Sequence, residues 1–477
     1  MTTGDDGSSR ATSAPPTAAT EPEGTRLSQL DRKHKLPGFA PLDQYAAAGS
    51  LIIVRGKGVW CWDAAGRQYL DGCSAIWNVN LGFGQAEIVE AVRKQLETLS
   101  FHLSLLNFST PPAIELAAKL VELAPPGLSR VFFTSGGSES NETVIRLCRL
   151  YFKLRGYANK TKAIARRRGY HGSSMGAASL TGMDHFHEYF GPMLEKVRHI
   201  DPPYCYRCPL GKTYPECAVA CADQLEDAIR EEGPDTVAFF IAEPVIGAGG
   251  VIPAPREYWT RIREICDRYD VLLVADEVIT GFGRTGKMFG VEHWDVRPDI
   301  ISCAKGLSSG YLPLGSVLVH ERIYQTLESM PPGAAMWHGF TNSGHPACCA
   351  AALKTVEILE RDGIVEHAAR MGERLHAGLR RFLDSPIVGD VRGIGLMAAM
   401  ELVRDRATKD PFPVSAGVGR YFRDACRAEG LLIRPVGDAI CMSPPLIISP
   451  EEVDVILERL AAGLRKTEAW VVAENLR

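Results

Sequence analysis

Lys305 and Asp276 are the residues on which chemistry can be built, because each closes a short apolar run with a reactive group. The run at 271–275 reads VLLVA and leads into Asp276, and the run at 300–304 reads IISCA and leads into Lys305. Runs this short, rich in β-branched or small residues and bounded by charge or Gly, fit strands buried on both faces. The acid and the lysine then sit just past the carboxyl ends of two buried strands, where open α/β sheets bind their ligands. A lysine in such a dry site loses part of the hydration that stabilises its ammonium and becomes a candidate Schiff-base nucleophile. The carboxylate would then face a pyridinium nitrogen.

The elements that must position this pair can be read along the chain. Strands are expected at 130–134, 163–165, 236–242, 271–275, 300–303 and 315–320, alternating with helical patterns such as 139–155 and 257–269. That alternation argues for an α/β fold with a mostly parallel sheet flanked by helices. Upstream, 51–70 suits a small antiparallel ribbon and 85–99 a helix. From 341 the pattern changes to a long helix at 345–361, a second at 365–382, two hairpin-like stretches within 391–448 and a helix from 450, an α+β arrangement. We expect a disordered tail over 1–28, the N-terminal part of a small domain over 29–84, a large domain over 85–340 and the C-terminal part of the small domain over 341–477.

With 477 residues the chain exceeds the size at which one core usually stops growing, so two lobes are expected. A formal net charge of -4 leaves no footprint for nucleic acid, and no apolar run is long enough to span a bilayer. The thirteen cysteines are mostly scattered among apolar residues, as at Cys266, Cys303, Cys348, Cys349 and Cys426, which favours reduced thiols and the cytoplasm. The first residues lack a targeting pattern and are rich in Ser, Thr, Ala and Pro.

DEVITGFGRTG at 276–286 followed by AKGLSSGYLPLG at 304–315 resembles a class III, pyridoxal-phosphate-dependent aminotransferase of the ω-amino acid:pyruvate type, and the resemblance runs from about residue 36 to the end. It implies the fold type I of pyridoxal-phosphate-dependent transferases. It also implies ping-pong transfer of an amino group from an ω-amino acid or amine donor to a keto acid such as pyruvate, in a homodimer or tetramer with shared sites. An aminomutase or decarboxylase of the same fold and cofactor is the alternative.

The resemblance assigns roles residue by residue. Lys305 would bind the cofactor and shuttle the proton, and Asp276 would keep the pyridine nitrogen protonated. In VFFTSGGSESNET, Gly136, Gly137 and Ser138 follow a strand and open a helix, so their N–H groups and hydroxyl can cradle a phosphate. Gly136 stands where serine is usual.

Tyr170, with His171 and Gly172, resembles the aromatic cover of the ring, and Val278 would pack on the other face. Glu243 looks like the acid near the ring oxygen or the substrate amine; a purely structural glutamate is the other reading. The family commonly carries glutamine where this chain has Ile246.

Thr341, with Phe340, resembles the residue that reaches the partner's phosphate. Arg434 aligns with the arginine that pairs with a substrate carboxylate, and Trp77 with the aromatic wall of the pocket; a structural salt bridge and a core tryptophan are the alternatives. Outside the resemblance, Cys205, Cys208, Cys217 and Cys221 form C-x2-C-x8-C-x3-C, which could hold structural zinc, form disulfides or stay as free thiols.

Overall fold

The computed structural model describes residues 23–477. The tail expected over 1–28 lies outside the described residues as far as 22, and residues 23–28 are helical instead, opening a helix over Glu23–His34. Arg32, Lys33 and His34 occupy its last turn, where cations complement the carbonyl end of a helix.

The chain divides into a small unit, residues up to 55 with 62–68, and a large unit, 56–61 with 69–477. Within the small unit a second helix covers Leu42–Ala48, and the Tyr45 hydroxyl donates to the Asp31 carbonyl at 2.7 Å. The stretch read as a ribbon holds strands over Ile53–Lys57, Trp60–Asp63 and Gln68–Asp71.

The large unit is built on a seven-stranded sheet. Its strands are β1 (Leu128–Thr134), β2 (Lys162–Arg166), β3 (Val197–Ile200), β4 (Val237–Ala242), β5 (Leu272–Asp276), β6 (Ile300–Cys303) and β7 (Gly315–His320), in the order β1-β7-β6-β5-β4-β2-β3. Neighbours pair in parallel except β7, which runs antiparallel to β6 and β1. Every residue of β4, β5 and β6 is buried, as expected of strands with helices on both faces. Burying a side chain such as Phe239 or Phe240 contributes about 1.5–3 kcal/mol.

Six of these strands lie where the apolar runs place them. β3 was not predicted, because VRHI carries two polar residues in four and stays half-exposed at the sheet edge.

Register fixes the edge that matters. Ala242 pairs with Ala275, and Asp276 pairs with Ser302. Glu243, Asp276 and Lys305 therefore fall at the carboxyl ends of three adjacent parallel strands.

A second, antiparallel sheet joins Val388–Ile394, Met397–Leu402, Ala439–Met442 and Arg434–Val436. The helix Pro450–Ala473 closes the chain, started by a capping box in which the Ser449 hydroxyl accepts from Glu452 N and the Glu452 carboxylate from Ser449 N. One apolar cluster contains Ala275, Ile301 and Leu318 together with Leu375, Met400, Ile440 and Ile456. This cluster draws residues from both sides of the boundary expected at 340/341.

Candidate active site

A cavity of about 280 Å³ opens at the carboxyl edge of β4, β5 and β6. Gly136, Gly137, Ser138, Tyr170, His171, Glu243, Asp276, Val278 and Lys305 all line it, joined by Asn78, Asn141 and Ser308.

Asp276 ends β5 and is buried. Its Oδ2 accepts from Asn141 Nδ2 at 2.8 Å and lies 2.7 Å from His171 Nδ1, while Oδ1 accepts from Val278 N at 3.0 Å. Burial alone would raise its pKa, but the hydrogen bonds from His171, Asn141 and Val278 prevail and hold the carboxyl below its ordinary value. The result is an anion fixed by three donors at the base of the cavity.

Lys305 is half-buried, with a backbone φ of 36° that non-glycine residues seldom adopt. Such strain at the end of a buried strand is the kind that clusters at functional sites. Burial lowers the pKa of its amine, Asp276 and Glu243 raise it, Arg434 lowers it, and the net shift is downward. Glu243 is buried, and its carboxylate accepts from Tyr170 N at 3.1 Å and Gly247 N at 2.7 Å. Burial raises its pKa; His171 opposes the rise and Asp276 adds to it. The Glu243 carbonyl, not its carboxylate, takes the buried Arg166 guanidinium.

Gly137 opens the helix Gly137–Leu154, whose first N–H groups have no carbonyl within the helix to bond. A Cβ on Gly136 would meet nothing within 4 Å, whereas one on Gly137 would stand 3.0 Å from Val278 Cγ1. This helix start is therefore open towards the cavity at one glycine and tightly packed at the next. Ser138 Oγ accepts from Ser173 N at 3.0 Å, which ties the loop after Tyr170 to the same helix. The Tyr170 hydroxyl lies 2.9 Å from Ser173 Oγ.

Trp77 and Arg434 meet each other, with the guanidinium 4.8 Å from the indole centroid. Neither is among the residues lining the cavity itself. Trp77 is buried against Val245, Ile279 and Met397, and its Nε1 has no partner. Arg434 has no ion-pair partner among the described residues. Phe340 and Thr341 are not among the residues that line this cavity, and Thr341 is exposed.

Cys205, Cys208, Cys217 and Cys221 share a separate, much smaller cavity with Tyr204 and Tyr214. All four are free thiols, and among the described residues no three His, Cys, Asp or Glu side chains could hold a metal ion. Burial, and then the neighbouring thiols, push Cys221 up to about 12.

The family model for Aminotransferase class-III matches residues 44–464. The chain belongs to the class III aminotransferases. The putrescine–pyruvate aminotransferase of Pseudomonas aeruginosa is 41% identical over 445 residues, 93% of this chain and 97% of that protein. An (S)-enantioselective omega-transaminase from Thermomicrobium roseum superposes with a TM-score of 0.91 at 45% identity, covering 93% of this chain and 98% of the other. The omega-transaminase of Pseudomonas jessenii in complex with PMP gives a TM-score of 0.91 at 41% identity, over 93% and 99%.

As a class III aminotransferase the protein has the type I fold of pyridoxal-phosphate-dependent enzymes and transfers an amino group with that cofactor. The residues present suit the group: a lysine and an ionised aspartate face one cavity, a glycine-opened helix start borders it, and Asn141 Oδ1 and His171 Nε2 are buried there without partners.

Asn141, Asn78 and Arg166 are the residues that sequence reasoning missed. Asn141 had a usable signal, since it lies four residues after Gly137 and so shares its helix face. Arg166 had none, because only the fold brings the end of β2 to the Glu243 carbonyl.

Proposed function

We propose that this aminotransferase takes its amino group from a terminal amine or ω-amino acid and gives it to pyruvate. The observation that carries the reading is Arg434, a guanidinium without a carboxylate partner among the described residues, resting on the apolar wall that Trp77 provides. A free guanidinium suits the carboxylate of a keto acid bidentately, while the indole suits an uncharged carbon chain. The name of the Pseudomonas aeruginosa relative, a putrescine–pyruvate aminotransferase, supports both halves.

Bound pyridoxal phosphate supplies the electron sink for the bond broken at the amine-bearing carbon. The chain's own residues do the rest. Lys305 Nζ, with its pKa lowered by burial, gives up its proton more readily than a solvated lysine and moves the proton at the substrate carbon. Asp276 presents a fixed anion to the ring nitrogen. The first-turn N–H groups at Gly137 and Ser138 hold the phosphate, with Gly136 leaving room for it. Tyr170 and Val278, both lining the cavity, would cover the cofactor ring and exclude water, and His171 holds Asp276 in place. Glu243, its pKa raised by burial, stands ready for the ring oxygen or the amine.

Thr341 and Phe340 serve the site of a second copy, which makes the active unit a dimer. Cysteines buried as thiols, such as Cys266, Cys303, Cys348, Cys349 and Cys426, suit a reducing cytoplasm, and no helix among the described residues is long and apolar enough to cross a membrane.

The test is the visible absorption of the cofactor-loaded protein as single amines are added without an acceptor, followed by pyruvate. The band should bleach with terminal amines or ω-amino acids and return with pyruvate. If no such pair cycles it, the donor and acceptor classes are wrong.

A further inference from the structure

Asn141 lies in the cavity wall and has no task in the reading above. It sits one turn into the helix Gly137–Leu154, on the face that begins at Gly137, and is fully buried. Both hydrogens of its amide are committed: Nδ2 donates to the His171 carbonyl at 2.7 Å and to Asp276 Oδ2 at 2.8 Å. Its Oδ1 is buried with no hydrogen-bond partner among the described residues. An unpaired buried acceptor is costly, and an apolar side chain would avoid that cost, so the two donated bonds are what the position supplies.

The other donors to Asp276 cannot do the same work. Val278 N belongs to the turn that follows Asp276 and moves with it. His171 Nδ1 donates to the same carboxylate oxygen, but it belongs to the Tyr170–His171 loop, which itself is held to the helix through the bond from Asn141 to the His171 carbonyl. Asn141 donates at every pH and reaches Asp276 from another element.

We propose that Asn141 is a positioning residue that ties the Asp276 carboxylate and the Tyr170–His171 loop to the phosphate-facing helix, so that acid, aromatic cover and phosphate clamp form one rigid frame. The inference rests on the roles assigned to those groups above. Ser138 Oγ, accepting from Ser173 N, adds a second strut between the same helix and loop.

The test uses Asn141→Ala and Asn141→Asp in the full-length enzyme. The readouts are the cofactor dissociation constant, the pH dependence of cofactor absorption, and kcat and KM for an amine donor. Asn141→Ala should weaken cofactor binding and lower kcat by about ten- to a hundredfold, with KM for the donor within about twofold, because a charge-assisted bond is lost and no substrate contact is touched.

Asn141→Asp keeps the shape and covers the case in which Asn141→Ala does not fold. Protonated, its carboxyl can still donate to Asp276; ionised, it sets a second anion against the first. Cofactor affinity in this variant should approach wild type near about pH 6 and fall steeply towards about pH 8.5. His171, Glu243, Lys305, Arg434 and the Cys303 thiol face Asp276 or its neighbours in the wild-type protein as well, so only the pH dependence added by the substitution reports on position 141. Wild-type affinity and kcat in Asn141→Ala would overturn the proposal, as would an Asn141→Asp variant with the wild-type pH dependence. Cofactor affinity is read without amine or keto acid, so a failure of amine–pyruvate cycling leaves this outcome separate.

Discussion

Lys305 is bracketed by charges of both signs, and their balance sets how readily its amine is free. Asp276 and Glu243 stabilise the ammonium, while burial and Arg434 destabilise it. Removing a cation must raise the Lys305 pKa and removing an anion must lower it. In Arg434→Leu the rate of cofactor capture by the apo-enzyme should therefore rise at a higher pH than in wild type, and in Glu243→Gln at a lower pH. Stopped-flow rates across the pH range check both signs, and shifts in one direction for both variants would contradict the arrangement. Lys305→Ala should lower kcat by at least about a hundredfold, since in the proposed mechanism its amine is the base that moves the proton; a steady-state assay decides it.

At the scale of elements, the site depends on turns held in unfavourable shapes by their neighbours. Ser74, Ala75 and Trp77 have φ of 46°, 56° and 57°, rare values for residues with side chains. Asp71 answers with two carboxylate contacts, from Cys73 N at 3.0 Å and Ala75 N at 2.7 Å. Arg284 adds bonds to Ser74 Oγ at 3.0 Å and Asn80 Oδ1 at 2.8 Å. The turn that presents Trp77 beneath Arg434 is thereby over-determined.

Gly172 does similar duty after His171. Its φ is 132°, and a Cβ there would stand 2.6 Å from Ser138 Oγ, at the seam between loop and helix. Gly172→Ala should cost about 1–3 kcal/mol of stability and weaken cofactor binding, because both strain and overlap fall where the phosphate is expected. Thermal melting with and without cofactor tests this. Equal loss in both states would place the damage outside the cofactor site.

For the whole molecule, the proposed dimer makes a sharp forecast. Thr341 is exposed and is not among the residues lining its own chain's cavity, which suits the proposed service to another copy. Mixing Lys305→Ala with Thr341→Ala protein should create hybrid dimers in which one site carries both defects and the other neither. Activity should then rise above that of either parent. No gain after refolding the two together would mean that Thr341 acts in its own chain or not at all. The continuous core linking β5, β6 and β7 to the helix at Ile364–Arg380 and the antiparallel sheet gives each copy a firm body on which to mount such a loop.

The sequence by itself determined the elements and the chemistry of the site's centre. Apolar runs are local signals, so six of seven strands and the principal helices could be placed, and Lys305 and Asp276 were visible as reactive groups ending buried runs. A strand such as β3, half-exposed with two adjacent polar residues at its centre, has no such run to announce it. The tertiary structure alone decided what converges. Register set Glu243, Asp276 and Lys305 side by side, and the crossing of the helix Gly137–Leu154 over the sheet brought Asn141 to Asp276, 135 positions away. It also stacked Arg434 on Trp77 and ran one core through the expected domain boundary. These are contacts between residues far apart in the chain, and only burial and strand pairing, which act across such distances, can choose them.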